Sequence, residues 1–195
     1  MLFPTPLPDA DIRHDSGWLD PAAADVLQTH LQAAVPWETH RIRMFGRWVD
    51  SPRLSCWIGD AGARYRYSGA DFLPHPWTPA LLHLRDRLQD ALGAPFNSVL
   101  LNRYRSGADS MGWHSDDEPE LGGRPVIASL TLGVARRFLL RRRDNPALKA
   151  EFLLRHGDLL VMAGTTQQHY QHALPKTAKV AGERINLTFR QIAAR

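Results

Sequence analysis

A chain of 195 residues is near the usual size of one domain and long enough to bury a sizeable core. The one cysteine, Cys56, excludes an internal disulfide, and no apolar run approaches the ~20 residues of a membrane helix; a soluble, cytoplasmic protein with no membrane partner is expected. Net charge is only +4, but its carriers are uneven, with 21 arginines against three lysines.

Residues 1–8 carry three prolines and no sustained apolar stretch, which argues against a leader segment. Asp20-Pro21 joins a capping side chain to a favoured first helical residue and opens a helix through Ala34; Thr78-Pro79 opens another that Gly93 closes. Between Arg41 and Arg66, six arginines stand against Asp50 and Asp60, interleaved with Phe45, Trp48, Trp57 and Tyr65. Cations with a planar donor fork among aromatic rings suit nucleic acid. A second cluster, Arg136-Arg137 and Arg141-Arg142-Arg143, is expected to flank the same groove.

From Ser98 onward, short strands separated by Gly, Pro and Asp dominate, at 98–104, 126–132, 138–142, 152–154, 158–162 and 185–192. Helices followed by a run of strands argue for an α+β protein. No repeat or low-complexity block appears, so 1–195 is expected to be one domain, with about 1–97 an N-terminal extension and about 98–192 the strand-rich core.

In 98–104, Leu100, Asn102 and Tyr104 share one side, and Val99, Leu101 and Arg103 the other. His114 and Asp116, two residues apart, project to one face if they ride on a strand. With a distant histidine they would occupy one triangular face of an octahedral ion, the arrangement of non-haem Fe(II) oxygenases. Zinc hydrolases use the same ligand types with one open position, and two solvated loop residues would show the same spacing. In Arg184-Ile185-Asn186-Leu187-Thr188-Phe189-Arg190 the apolar residues alternate with polar ones, the period of a strand with one face in a core. Its arginines are about 20 Å apart along an ideal strand, yet their long side chains can converge on the two ends of a dicarboxylate.

Together, Asn102-Arg103-Tyr104, His114-Ser115-Asp116-Asp117-Glu118, His172-Ala173-Leu174-Pro175 and the 184–190 segment resemble an AlkB-type Fe(II)/2-oxoglutarate-dependent dioxygenase, closest to the branch that repairs alkylated double-stranded DNA. The similarity covers roughly residues 37–192. It implies a double-stranded β-helix (jelly-roll) core with supporting N-terminal helices. It also implies that His114, Asp116 and His172 hold Fe(II), while Asn102, Tyr104, Arg184, Thr188 and Arg190 hold 2-oxoglutarate, with O2 the second co-substrate. His169 is the rival third ligand, and the family pattern alone selects His172.

Arg41-Ile42-Arg43-Met44-Phe45-Gly46-Arg47 resembles the hairpin with which duplex-acting relatives enter the base stack. Met44 and Phe45 would be the wedge, with Gly46, Arg47 and Arg53 beside it. Tyr65, Arg66, Tyr67 and Ser68 match the family's substrate-pocket segment, Tyr67 stacking on the damaged base; Asp117 and Glu118 would favour methylated bases that carry positive charge. The implied reaction is demethylation of bases such as 1-methyladenine and 3-methylcytosine, releasing formaldehyde, succinate and CO2, by a monomer acting on DNA, double-stranded first and single-stranded DNA or RNA otherwise. Two other classes stay open: an iron oxygenase of the same fold acting on RNA or another substrate, and a catalytically inactive nucleic-acid-binding module.

Overall fold

The structure, a computed structural model, describes residues 3–4, 7–44, 47–63, 65–67 and 70–193, and of 3–4, 42–44, 65–67 and 70–72 the backbone alone. In chain order the strands are β1 (Phe3–Pro4), β2 (Asp11–Asp15), β3 (Arg41–Met44), β4 (Arg47–Asp50), β5 (Leu54–Gly59), β6 (Tyr65–Tyr67), β7 (Ala70–Phe72), β8 (Ser98–Tyr104), β9 (Met111–His114), β10 (Ile127–Gly133), β11 (Arg136–Arg142), β12 (Lys149–Leu154), β13 (Leu159–Ala163), β14 (Tyr170–Leu174) and β15 (Arg184–Arg190). The helices are α1 (Pro21–Ala34), α2 (Pro79–Leu92) and the single turn α3 (Thr166–His169). No helix among the described residues is long and apolar enough to cross a membrane.

Both long helices begin where their caps dictate. Asp20 accepts the Ala23 N–H at 3.0 Å and Thr78 accepts that of Leu81 at 3.3 Å, each followed by proline in the first turn. Gly93 ends α2 in the left-handed region, with φ of 62°.

The strands form a seven-stranded antiparallel sheet, β1-β2-β13-β10-β15-β8-β5, and a four-stranded one, β12-β11-β14-β9; β3–β4 and β6–β7 are separate hairpins. Residues before Ser98 contribute β1, β2 and β5, so the larger sheet is built from both parts of the chain. The larger sheet is covered on one face by α1 and α2: Leu31, Leu81, Leu84 and Leu88 pack with Val99, Leu101, Ile185, Leu187 and Phe189. Its other face meets the smaller sheet, where Ile127, Leu160 and Met162 pack on Phe138, Leu140 and Tyr170. Two facing antiparallel sheets with few helices are consistent with a jelly-roll core.

Strand ends differ from the sequence expectation for identifiable reasons. β11 and β12 are longer because pairing from Arg136↔Leu154 to Arg141↔Lys149 carries polar residues whose side chains alternate outward. β15 stops at Arg190, and Ile192 is instead clasped by Asn97, which accepts its N–H at 2.7 Å and donates to its carbonyl at 2.8 Å. Leu187 is fully buried at the centre of the helix-covered face. Leu187→Ala is therefore expected to cost about 2–5 kcal/mol of unfolding free energy in urea titration; a cost below about 1 kcal/mol would contradict this packing.

Candidate active site

A cavity opens between the two sheets, lined from β8, β9, β10, β11, β13, β14 and β15. One end is a donor set for a metal. His114 on β9 pairs in register with His172 on β14, their ring centroids 4.1 Å apart. Asp116 does not ride on the strand with His114. β9 ends at His114, and Asp116 follows in irregular backbone whose N–H is held at 2.9 Å by the Gln167 side-chain oxygen from α3. One ligand atom from each of the three lies within 4.8 Å of the others. His169, the rival, lies at the end of α3 and is absent from this group.

Protonation states suit the same purpose. His114 Nδ1 lies 2.9 Å from the Gly112 carbonyl, which can only accept, so Nδ1 carries a proton and Nε2 is the nitrogen left for a metal. Burial pushes the His172 pKa down to about 3, so its imidazole is neutral. Burial alone would raise the Asp116 pKa. The Arg190 guanidinium, donating to Asp116 Oδ2 at 2.7 Å, outweighs it and holds the carboxyl well below the usual range. The buried Nδ1 of His172 has no hydrogen-bond partner among the described residues. Two imidazoles, one ionised carboxylate and an orphaned ring nitrogen fit a divalent transition metal.

The other end is cationic and comes from register in the larger sheet. Arg184 pairs with Tyr104 and Asn186 with Asn102 across β15 and β8, while Thr131 and Ser129 face Asn186 and Thr188 from β10. Arg184 Nη2 donates to Thr131 Oγ1 at 2.8 Å and Asn186 Oδ1 at 2.6 Å; Asn186 passes the chain on to Thr188 Oγ1 at 2.8 Å. Arg184 Nε is buried without a hydrogen-bond partner among the described residues. The Asn102 oxygen accepts from Arg53 Nε at 2.7 Å, leaving its NH2 group as the donor for a ligand. A buried guanidinium whose hydrogen-bond acceptors are neutral, beside amide and hydroxyl donors, suits a carboxylate.

The family model of the 2OG-Fe(II) oxygenase superfamily matches residues 11–190. The chain belongs to that superfamily. It is an Fe(II)/2-oxoglutarate-dependent dioxygenase, with Fe(II), 2-oxoglutarate and O2 as the family's cofactor and co-substrates. Over 181 residues it is 40% identical to the DNA oxidative demethylase ALKBH2 of Mus musculus, spanning 88% of this chain and 76% of the relative, so the AlkB-type resemblance holds. The alpha-ketoglutarate-dependent dioxygenase alkB homolog 3 of Rattus norvegicus is 39% identical over 185 residues, 90% of this chain and 62% of the relative. The solved structure of OsALKBH1 superposes with a TM-score of 0.70 over 98% of this chain and 100% of that one, at 16% identity, which is a likeness of fold alone.

All eight residues expected at the metal and 2-oxoglutarate positions line this one cavity. Expectations on the substrate side are spread more widely. Phe45, Gly46 and Ser68 lie outside the described residues; Met44 ends β3, and Tyr65, Arg66 and Tyr67 form β6, paired with β7. Arg47 is exposed on β4. Arg53 is buried and turned onto Asn102, so it bears on the co-substrate end. Asp117 is ion-paired with Arg143, and Glu118 immediately precedes a short 3-10 turn, Pro119–Leu121. The second arginine cluster does not act as one patch. Arg136 is buried, Arg137 pairs with Glu151, Arg142 with Asp9 and Asp144, and Arg141 stacks on Trp113 at 4.1 Å.

Sequence reasoning missed Ser129, Phe138, Met111, Met162 and Gln167. Only Ser129 had a legible signal, being polar, like Thr131 two residues on, at alternate positions of a strand whose other side chains are apolar. The two ends of the triad make different demands on the fold. His114 is partly exposed, whereas Asp116 is the carboxylate partner of buried Arg190. His114→Ala should abolish metal binding in a titration with little change in Tm. Asp116→Ala should abolish it too and also lose on the order of 3 kcal/mol of stability. Equal melting behaviour of the two variants would contradict the role given to the Arg190 pair.

Proposed function

We propose that the protein demethylates N-alkylated bases in DNA by direct reversal, with 1-methyladenine and 3-methylcytosine as substrates and the duplex as the preferred form. The observation that carries this reading is a His-Asp-His donor set facing a cationic cavity in a chain 40% identical to a DNA oxidative demethylase. His114, Asp116 and His172 hold Fe(II); Asn102, Tyr104, Arg184, Thr188 and Arg190 hold 2-oxoglutarate. Bound iron, with 2-oxoglutarate and O2, supplies the oxidising power that hydroxylates the N-methyl group, which then leaves as formaldehyde, with succinate and CO2 as co-products.

The remaining tasks fall to the chain's own residues. Arg184 and the Asn102 NH2 group orient the co-substrate, and the Asn186–Thr188 chain keeps Arg184 in place. Arg190 fixes one oxygen of Asp116, so the other, 3.7 Å from His114 Nε2, faces the metal position. Phe138, Met111 and Met162 wall the cavity with apolar surface, which limits access of water. No side chain has to act as a nucleophile. Met44 and Phe45 wedge the duplex with Gly46 and Arg47 at the hairpin; Tyr65, Arg66, Tyr67 and Ser68 receive the flipped base, Tyr67 by stacking. Glu118 and, when Arg143 is not holding it, Asp117 favour a cationic methylated base. The protein works as a monomeric single domain in the compartment that holds DNA.

With a 1-methyladenine duplex oligonucleotide, Fe(II) and ascorbate, restored adenine and formaldehyde are expected only when 2-oxoglutarate is added. Succinate without repair of any DNA would move the substrate to RNA or another class. Absence of succinate under every condition would overturn the catalytic reading. Phe45→Ala should lower duplex repair roughly tenfold or more, because filling the gap left by a flipped base is worth a few kcal/mol, and should spare single-strand repair. Equal losses on both substrates would remove the wedge.

A further inference from the structure

Behind Tyr104 stands a buried cation that the reading above leaves unused. Arg136, at the start of β11, is 2% exposed. Its Nη1 donates to the Ser106 carbonyl at 3.1 Å, and its Nη2 to the carbonyls of Asp109 at 3.0 Å and Pro175 at 2.8 Å. These carbonyls belong to the exit of β8, the approach to β9 and the exit of β14, so one guanidinium ties together the ends of the strands that carry Tyr104, His114 and His172. Its Cζ lies 5.9 Å from the centre of the Tyr104 ring, and the Cζ of Arg184 lies 5.4 Å from the same centre. Both distances are within cation–π range.

The charge balance is unusual for a buried site. Among the described residues, the hydrogen-bond acceptors of both guanidiniums are neutral. The Asp109 carboxylate acts on Arg136 through space, but it is already bonded to Arg105 at 2.8 and 2.9 Å. Burial pushes both guanidinium pKa values down, and the nearby Arg136 charge helps bring Arg184 to about 10. Two buried cations with neutral acceptors disfavour the empty cavity and favour an entering anion, the more so the more charge it brings.

We propose that Arg136 is a positioning and selectivity residue for the co-substrate: it holds Tyr104 beside Arg184 and adds a second positive charge at that end of the cavity, so the site discriminates a dianionic 2-oxo acid from a monoanionic one. This rests on the assignment of the Arg184 end to the distal carboxylate of 2-oxoglutarate.

The test is anaerobic calorimetric titration of the Fe(II)-loaded protein with 2-oxoglutarate and with 2-oxopentanoate, which has the same chain length and a methyl group in place of the distal carboxylate. Arg136→Met should weaken 2-oxoglutarate roughly tenfold and 2-oxopentanoate less than about twofold, since the lost charge acts most strongly on the distal carboxylate, which only 2-oxoglutarate has. Arg136→Lys keeps the charge without the fork; it should lower Tm while holding the ratio of the two affinities within about threefold of the unaltered protein. The Lys variant carries the test alone if the Met variant does not fold. Parallel loss of both acids in the Met variant would reduce Arg136 to a structural strut, and collapse of the ratio in the Lys variant would overturn the role of charge. An unaltered protein that does not discriminate the two acids would instead refute the assignment of the cavity end. Discrimination retained by Arg136→Met would refute Arg136 alone.

Discussion

Strand Arg184–Arg190 is buried at all seven positions, which is a severe condition for a segment with two arginines, an asparagine and a threonine. Its apolar half, Ile185, Leu187 and Phe189, packs under the helices. Its polar half has to find partners inside the protein, because an unpaired buried polar group costs on the order of a few kcal/mol. Most of the site follows from how those partners are supplied.

The two arginines meet the condition in different ways. Arg190 is given Asp116, a carboxylate that is also a ligand candidate, so one ion pair both neutralises the cation and fixes the orientation of the acid. Arg184 is given Thr131 and Asn186, whose dipoles solvate it without cancelling its charge. Along one strand the protein therefore places a neutralised cation at the metal end and a net charge at the other. That polarity is what a dicarboxylate needs if one end is to chelate and the other to be anchored.

What the sequence disclosed follows the range of the interactions involved. The helix starts at Asp20 and Thr78 are set by side chains three residues from the groups they cap. The faces of β15 are set by a period of two, which needs no partner to be read. β5, Leu54–Gly59, is buried on both faces, and with Ser55 as its one polar side chain it shows no alternation to distinguish it. Asp116 shows the limit more sharply. Its spacing from His114 suggested a shared strand, but its place is fixed by Gln167, 51 residues away in sequence, through a contact no local pattern announces. Arg136-Arg137 reads as a pair of surface cations; only the register of β11 against β12 sends the first inward and leaves the second outside with Glu151.

The arginine excess, taken as a count, overstates the cationic surface offered to a phosphate backbone. Arg103, Arg105, Arg137, Arg142 and Arg143 each have a carboxylate at hydrogen-bond distance, and Arg53, Arg136, Arg184 and Arg190 are inside the protein. The surface pairs do not amount to permanent neutralisation, since an exposed ion pair is worth about 0–1 kcal/mol and a phosphate backbone offers the same geometry repeated along a polyanion. The pairs on Glu151, Asp144 and Asp117 are thus exchangeable: an arriving polyanion can take the guanidinium and release the acid to water. For Arg143 that exchange would also free Asp117, one residue from a metal-ligand candidate, so the electrostatics of the cavity mouth would depend on whether nucleic acid is bound.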